Sequence, residues 1–232
     1  MTHIVSAFDE DLTQIQAYIS EMGGLAEEVL ADALRAVQTS DMELSRKVIE
    51  RDRDIDAMER KIEEAVIRVI VLRQPVAVDL RVLIAAMKIA GTLERIGDLA
   101  KNIAKRGMPL ANAQPIKLTS SVVRMGREVL TQLSDVLNAH AARDVDLAVQ
   151  IWNSDVEIDE MYNAIFREVV TYMVEDSRLI GQGAELLFIA KNLERIGDHA
   201  TLISEMIYYI VKGESLGDDR PKGEPLGPVA GA

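Results

Sequence analysis

The chain has 232 residues, 48% of them hydrophobic and 4% aromatic, enough aliphatic side chain for a sizeable core of helix packed on helix. Its formal net charge of −12 argues against nucleic acid or anionic lipid as the main partner, because both reward clustered Lys and Arg. No cysteine is present, which excludes disulfides and thiolate metal sites and fits a reducing compartment.

The first predicted helix runs from Phe8 to Gln38, with Gly23-Gly24 expected to bend or weaken it. Asp9, Glu10 and Asp11 interrupt the start before a secretory signal can develop. Ser40-x-x-Glu43 has the form of a capping box and opens a second helix that continues to about Arg73, where Pro75 marks a turn. The third covers about Ala77 to Arg106 and is expected to stop at Gly107-Met108-Pro109. Residues 109–115 read as a linker. Helices four to six follow over about Lys117–Ala142, Val145–Glu175 and Arg178–Lys212, with Asp144 as a candidate N-cap. Arg68 and Lys88 break the long apolar runs around them, so no membrane span is expected and the chain reads as soluble and intracellular. Helices of this length give an all-α fold of two tandem antiparallel three-helix bundles, over residues 1–108 and 116–212. Residues 213–232, rich in Gly, Pro and charge, read as a disordered tail.

The two halves are copies. At an offset of 103, Met22-Gly23, Leu34, Asp52, Ile55, Asp56 and Ile62 recur as Met125-Gly126, Leu137, Asp155, Ile158, Asp159 and Ile165. From Ile89 to Ile103 the offset falls to 100, and Leu-Glu-Arg-Ile-Gly-Asp occurs at both 93–98 and 193–198. A length difference of three residues belongs in a turn between helices. Each half therefore carries two acidic pairs at helical spacing: Asp52 with Asp56 and Glu94 with Asp98, then Asp155 with Asp159 and Glu194 with Asp198. At 100° per residue Asp52, Asp56 and their counterparts fall on the inward, apolar stripe, while the glutamates and their partners lie beside theirs. Gly97 and Gly197 lie between stripe and acids, where they permit close approach of a helix or ligand.

Converging carboxylates repel one another and resist desolvation, so something must neutralise them. Oxygen donors alone suit hard cations such as Mg²⁺, Ca²⁺, Mn²⁺ or Fe³⁺. Ion pairing is the alternative: Lys101 is placed to meet Asp98, whereas Arg95 and Arg195 point toward the polar side. Thr201 replaces Lys101 in the second half and Tyr162 replaces Glu59, so the two sites are expected to differ. There is no Glu-x-x-His pair, no phosphate loop and no nucleophilic triad. His199 and Trp152 read as surface or packing residues. A carboxylate-bridged metalloenzyme and a purely structural bundle with ion-paired acids both remain open.

The doubled L-E-R-I-G-D, the D-L-R at Asp79 to Arg81 ahead of M-K-I-A, and R-I-G-D-H-A at Arg195 to Ala200 together resemble the PhoU family over about Asp9 to Lys212. That resemblance implies a cytoplasmic, non-enzymatic, homodimeric protein built of two three-helix bundles. It implies an accessory regulator that links the ATPase subunit of a phosphate ABC transporter to a PhoR-type sensor histidine kinase and represses the phosphate-starvation response. It also implies clusters of Fe, Mn or Mg held by E/D-x-x-x-D motifs, which here fall on Asp52, Asp56, Glu94 and Asp98 and on Asp155, Asp159, Glu194 and Asp198.

Overall fold

The computed structural model describes residues 2–111, 118–217 and 223. Six long helices account for nearly all of them: α1 (Thr2–Thr39), α2 (Met42–Arg73), α3 (Val78–Leu110), α4 (Leu118–Ala142), α5 (Val145–Glu175) and α6 (Ile180–Lys212). A short 3₁₀ turn, Ser177–Leu179, precedes α6. Helices α1 to α3 pack on one another as one bundle and α4 to α6 as a second, as the amphipathic patterns require. Most of the expected linker and tail lies outside the described residues. No helix is long and apolar enough to cross a membrane among those described.

The first turn of each repeat is built identically. Asp41 and Asp144 cap α2 and α5, each accepting through Oδ1 from the backbone N–H three residues on, Leu44 at 2.9 Å and Leu147 at 3.0 Å. The residues before them, Ser40 and Arg143, take the left-handed conformation (φ 57° and 53°), and the cap amides close onto Ala36 and Ala139. Asp41 therefore replaces Ser40 as the predicted cap, because Ser40 supplies the reversal of the chain and cannot also start the helix. The second turns differ. Gln74 is left-handed and Ala77 also takes a positive φ around Pro75 in the first repeat, whereas Asp176 and the 3₁₀ turn do the work in the second. The three-residue difference is absorbed there, since α2 outlasts α5 by one position and α3 begins two positions earlier than α6.

Two other predicted breaks are helical. Helix α3 runs through Pro109 to Leu110, so its end overlaps the expected linker; a proline in the last turn disturbs little helix beyond it. Gly107 is no stop but a contact, since a Cβ there would come 2.8 Å from Val37 Cγ2. Helix α1 continues through Gly23-Gly24, and Gly23 is needed for packing: a Cβ would lie 2.6 Å from Leu137 Cδ2. The same arrangement recurs in reverse, with Leu34 of α1 filling the notch at Gly126 of α4. Two residues repeated at one offset thus form a reciprocal joint between the bundles.

A second antiparallel pair, α3 and α6, completes the joint. Arg106 near the end of α3 bonds Glu185 near the start of α6 (3.3 Å), while Val82 and Ile210 line a common cavity at the opposite end. That register sets the two Leu-Glu-Arg-Ile-Gly-Asp segments across from each other at the middle of the molecule. The buried apolar residues of both repeats, among them Leu30, Ile62, Leu93, Leu133, Ile165 and Leu193, form one continuous core.

Candidate functional site: two carboxylate rows

In each repeat the two acidic pairs come from adjacent helices, α2 with α3 and α5 with α6, and form a row across their seam. Asp52 and Asp155 lie deepest, 8% and 1% exposed, as their inward phase predicts. Asp56, Glu94 and Asp98, like Asp159, Glu194 and Asp198, are half-buried at the rim. Gly97 lets Ile55 pass between the helices, since a Cβ would come 2.7 Å from Ile55 Cδ1. At Gly197 the neighbours are polar: the corresponding point lies 3.0 Å from Asp155 Oδ1 and 3.2 Å from Gln132 Oε1.

The rows are crowded enough to perturb their acids. Burial raises the Glu94 carboxyl, Asp98 raises it further, and Glu59 and Asp56 add to this against the opposing charge of Arg95. Glu194 is raised by burial and then by Asp198 and Asp159, with Lys191 opposing. Glu59 is raised by burial, Glu63 and Asp56. Crowded carboxylates of this kind hold protons more tightly than isolated ones, and any cation that joins them relieves the repulsion.

A lysine already does so in each row, from a different position. In the first, Lys101 Nζ bonds Asp52 Oδ2 and Asp98 Oδ1, both at 2.5 Å, pairing with Asp98 as its spacing predicts and also bridging the helices. In the second, Thr201 is fully buried and its hydroxyl donates to the Asp198 carbonyl at 2.7 Å. Lys191 meets Glu194 Oε1 there instead, at 2.7 Å, and stands 5.1 Å from the Tyr162 ring centroid. Lys191 aligns with Gly91 and Tyr162 with Glu59, and a Cβ at Gly91 would lie 3.5 Å from Glu59 Oε1. The pair Glu59–Gly91 of one repeat thus corresponds to Tyr162–Lys191 in the other. Lys191 was legible in the sequence only by aligning it with Gly91.

Arg95 departs from expectation. Its side chain is exposed, as its phase requires, but the guanidinium turns back to Glu94 Oε2 at 3.4 Å. His199 is half-buried and held below the usual histidine range by burial and by Arg195. Trp152 is a packing residue whose Nε1 donates to Glu205 Oε1 at 3.1 Å. Arg81 of the D-L-R segment lays its guanidinium against Gly213, the left-handed cap of α6. One residue from beyond α6 meets the second row: Gly223 N–H donates to Asp159 Oδ2 at 2.9 Å.

As donors these rows suit a hard cation, being oxygen-only and repelling, and Glu194 Oε2 is buried without a hydrogen-bond partner. Among the described residues no three acidic, histidine or cysteine side chains stand close enough together to hold one ion. A bound metal would therefore need rim side chains to turn inward.

A model of the PhoU domain matches residues 19–107 and again 122–207, one match per bundle. A phosphate-specific transport system accessory protein PhoU homolog from Caulobacter vibrioides is 48% identical over 97% of this chain and 98% of its own. The corresponding Escherichia coli protein is 40% identical over 92% and 89%. The crystal structure of PhoU from Pseudomonas aeruginosa superposes with a TM-score of 0.87 at 37% identity, covering 89% of this chain and all of that one. PhoU from Streptococcus pneumoniae, described as a phosphate transport system regulatory protein, gives 0.84 at 30% identity over 90% and 99%. With two domain matches, near-complete coverage and the same double bundle, the chain belongs to the PhoU family.

Proposed function

We infer that this protein is an accessory regulator of phosphate transport, a cytoplasmic, homodimeric adaptor rather than an enzyme. It joins the ATPase subunit of a phosphate ABC transporter to a PhoR-type sensor histidine kinase and holds the kinase in its non-activating state when phosphate is plentiful. The observation that carries this reading is the match to the Escherichia coli accessory protein over 92% of this chain and 89% of that one, which transfers a whole molecule and not a shared module.

An adaptor needs contact surface, and the α2–α3 turn supplies apolar area: Val71, Leu72 and Val76 are 66%, 65% and 74% exposed. Coupling between the partners requires that the protein bind two of their states with different affinity. Hard cations, held by Asp56, Glu94 and Asp98 over Asp52 and by Asp159, Glu194 and Asp198 over Asp155, would neutralise the rows and stiffen the seams between helices. The test is reconstitution of the purified chain with the ATPase subunit and the cytoplasmic part of the kinase. Kinase autophosphorylation should fall only when all three are present. No binding of either partner at about 100 μM, roughly −5.5 kcal/mol, would sink the adaptor reading.

A further inference from the structure

The end of the molecule where α3 begins and α6 finishes holds a cavity of about 220 Å³ between the bundles. Its interior is apolar: Ile15 and Ile19 of α1, Ala86 of α3, and Ile207 and Ile210 of α6 are all buried. The corresponding positions at the other end are filled. Leu186, fully buried, stands where this end has Ala86. Val37 and Gly107, in the places of His140 and Ile207, pack so closely that a Cβ on the glycine would come 2.8 Å from Val37 Cγ2. The alanine on α3 thus leaves open a space that its counterpart occupies. An apolar cavity of about 150 Å³ takes benzene, so this one has room for roughly eight carbons.

A few polar groups complete the lining. His140 of α4 is 9% exposed, and Arg143 follows it in the exposed turn before α5. Burial, and then the charge of Arg143, push the imidazole down to about 4, so at neutral pH the ring is uncharged and keeps one N–H to donate. On α1 the Thr13 hydroxyl is already used, donating to the Asp9 carbonyl at 2.8 Å. An apolar pocket with a small number of convergent polar groups is the form of a small-molecule site. A guanidinium beside a buried N–H donor favours an anionic head. Asp9, exposed on the same lining, disfavours a second negative charge and so a dianion such as a phosphate monoester.

We propose that this cavity binds a medium-chain monocarboxylate, its hydrocarbon chain among Ile15, Ile19, Ile207 and Ile210 and its head at Arg143 and His140. Such an occupant touches α1 and α3 of the first bundle and α4 and α6 of the second. It therefore fills the one end of the joint that protein side chains leave open and ties the two bundles together there.

Isoleucine-methyl NMR of the full-length chain, titrated with octanoate to about 1 mM, tests this. The methyls of Ile15, Ile19, Ile207 and Ile210 should shift together while those of Ile62 and Ile165, in the bundle cores, stay in place. Octanoate should bind about fifteenfold more tightly than hexanoate, the worth of two buried methylene groups. Ala86→Leu, which installs the side chain found at Leu186, should erase that preference. Arg143→Gln, on the surface and neutral to the core, should weaken octanoate about tenfold, the loss of one charge-assisted hydrogen bond, and leave octan-1-ol unaffected. Silent methyls at the highest concentration, or a chain-length preference that survives Ala86→Leu, would overturn the site. Octylamine binding more tightly than octanoate, or octanoate indifferent to Arg143→Gln, would overturn the carboxylate assignment.

Discussion

Gly23 and Gly24 are neighbours in one helix, yet alanine should have opposite effects at the two. At Gly24 a Cβ meets nothing within 4 Å, so Gly24→Ala should stabilise by about 1 kcal/mol through helix propensity alone. At Gly23 the same Cβ falls 2.6 Å from Leu137 Cδ2 and 3.2 Å from Cδ1. Ordinary carbon contacts lie at about 3.5–4.0 Å, so the intrusion is roughly 1 Å, and overpacking on that scale costs about 1–3 kcal/mol. Subtracting the propensity gain leaves Gly23→Ala destabilised by about 1 kcal/mol and separates the neighbours by about 2. Urea unfolding of the two variants, compared at a common slope, measures the difference directly. Trimming Leu137 to Ala in the Gly23→Ala background should recover about 1 kcal/mol of coupling. Equal stabilisation by both alanines, or additive behaviour with Leu137→Ala, would refute the joint.

Lys101→Met should cost about 2 kcal/mol at neutral pH, less than the about 3–5 typical of a fully buried pair because Asp98 and Lys101 are partly exposed. Burial alone would lower the lysine, but its bonds to Asp52 and Asp98 hold it above its ordinary value. Its contribution is therefore complete below about 10.5 and lost as pH rises through the folded value, and a penalty that persists beyond that loss would contradict the pairing. His140 is pushed down to about 4 by burial and then by Arg143, from 6.5. The unfolded chain takes up that proton first, so stability should fall by about 3 kcal/mol between pH 6.5 and 4. His140→Val, the residue of the first repeat, should flatten that part of the melting profile, and an unchanged slope would assign it elsewhere. Elemental analysis of untagged protein before and after chelation should find Fe, Mn or Mg lost together with thermal stability; Asp56→Asn with Asp159→Asn should lower the content, and unchanged stoichiometry would reject the rows as metal ligands.

The helices and their inward faces were legible because burial imposes a period on the sequence: Leu44, Val48, Ile55 and Ile62 mark a stripe that needs no tertiary knowledge. Asp52 and Asp155 could be placed by the same arithmetic. The glycines could not, because Gly23, Gly107 and Gly126 are explained by Leu137, Val37 and Leu34, each on another helix. Local signals therefore suggested a bend and a stop where close packing was the cause. Ser40 misled for a related reason, since two adjacent residues can both cap and only the direction of the chain decides between them. In the rows, Lys101 was found by its three-residue spacing from Asp98, but its bond to Asp52 crosses between helices. Arg95 escaped because helical phase locates a Cβ and not the end of a long side chain.

The reciprocal joint of α1 with α4 has a genetic consequence. Two identical subunits related by a dyad must change together, because one codon writes both faces. Here the halves share a chain, and each position across the joint is encoded separately. Thr201 can therefore stand where the other half has Lys101, and Lys191 opposite Tyr162 where it has Gly91 opposite Glu59. Two acidic faces written by separate codons are free to specialise.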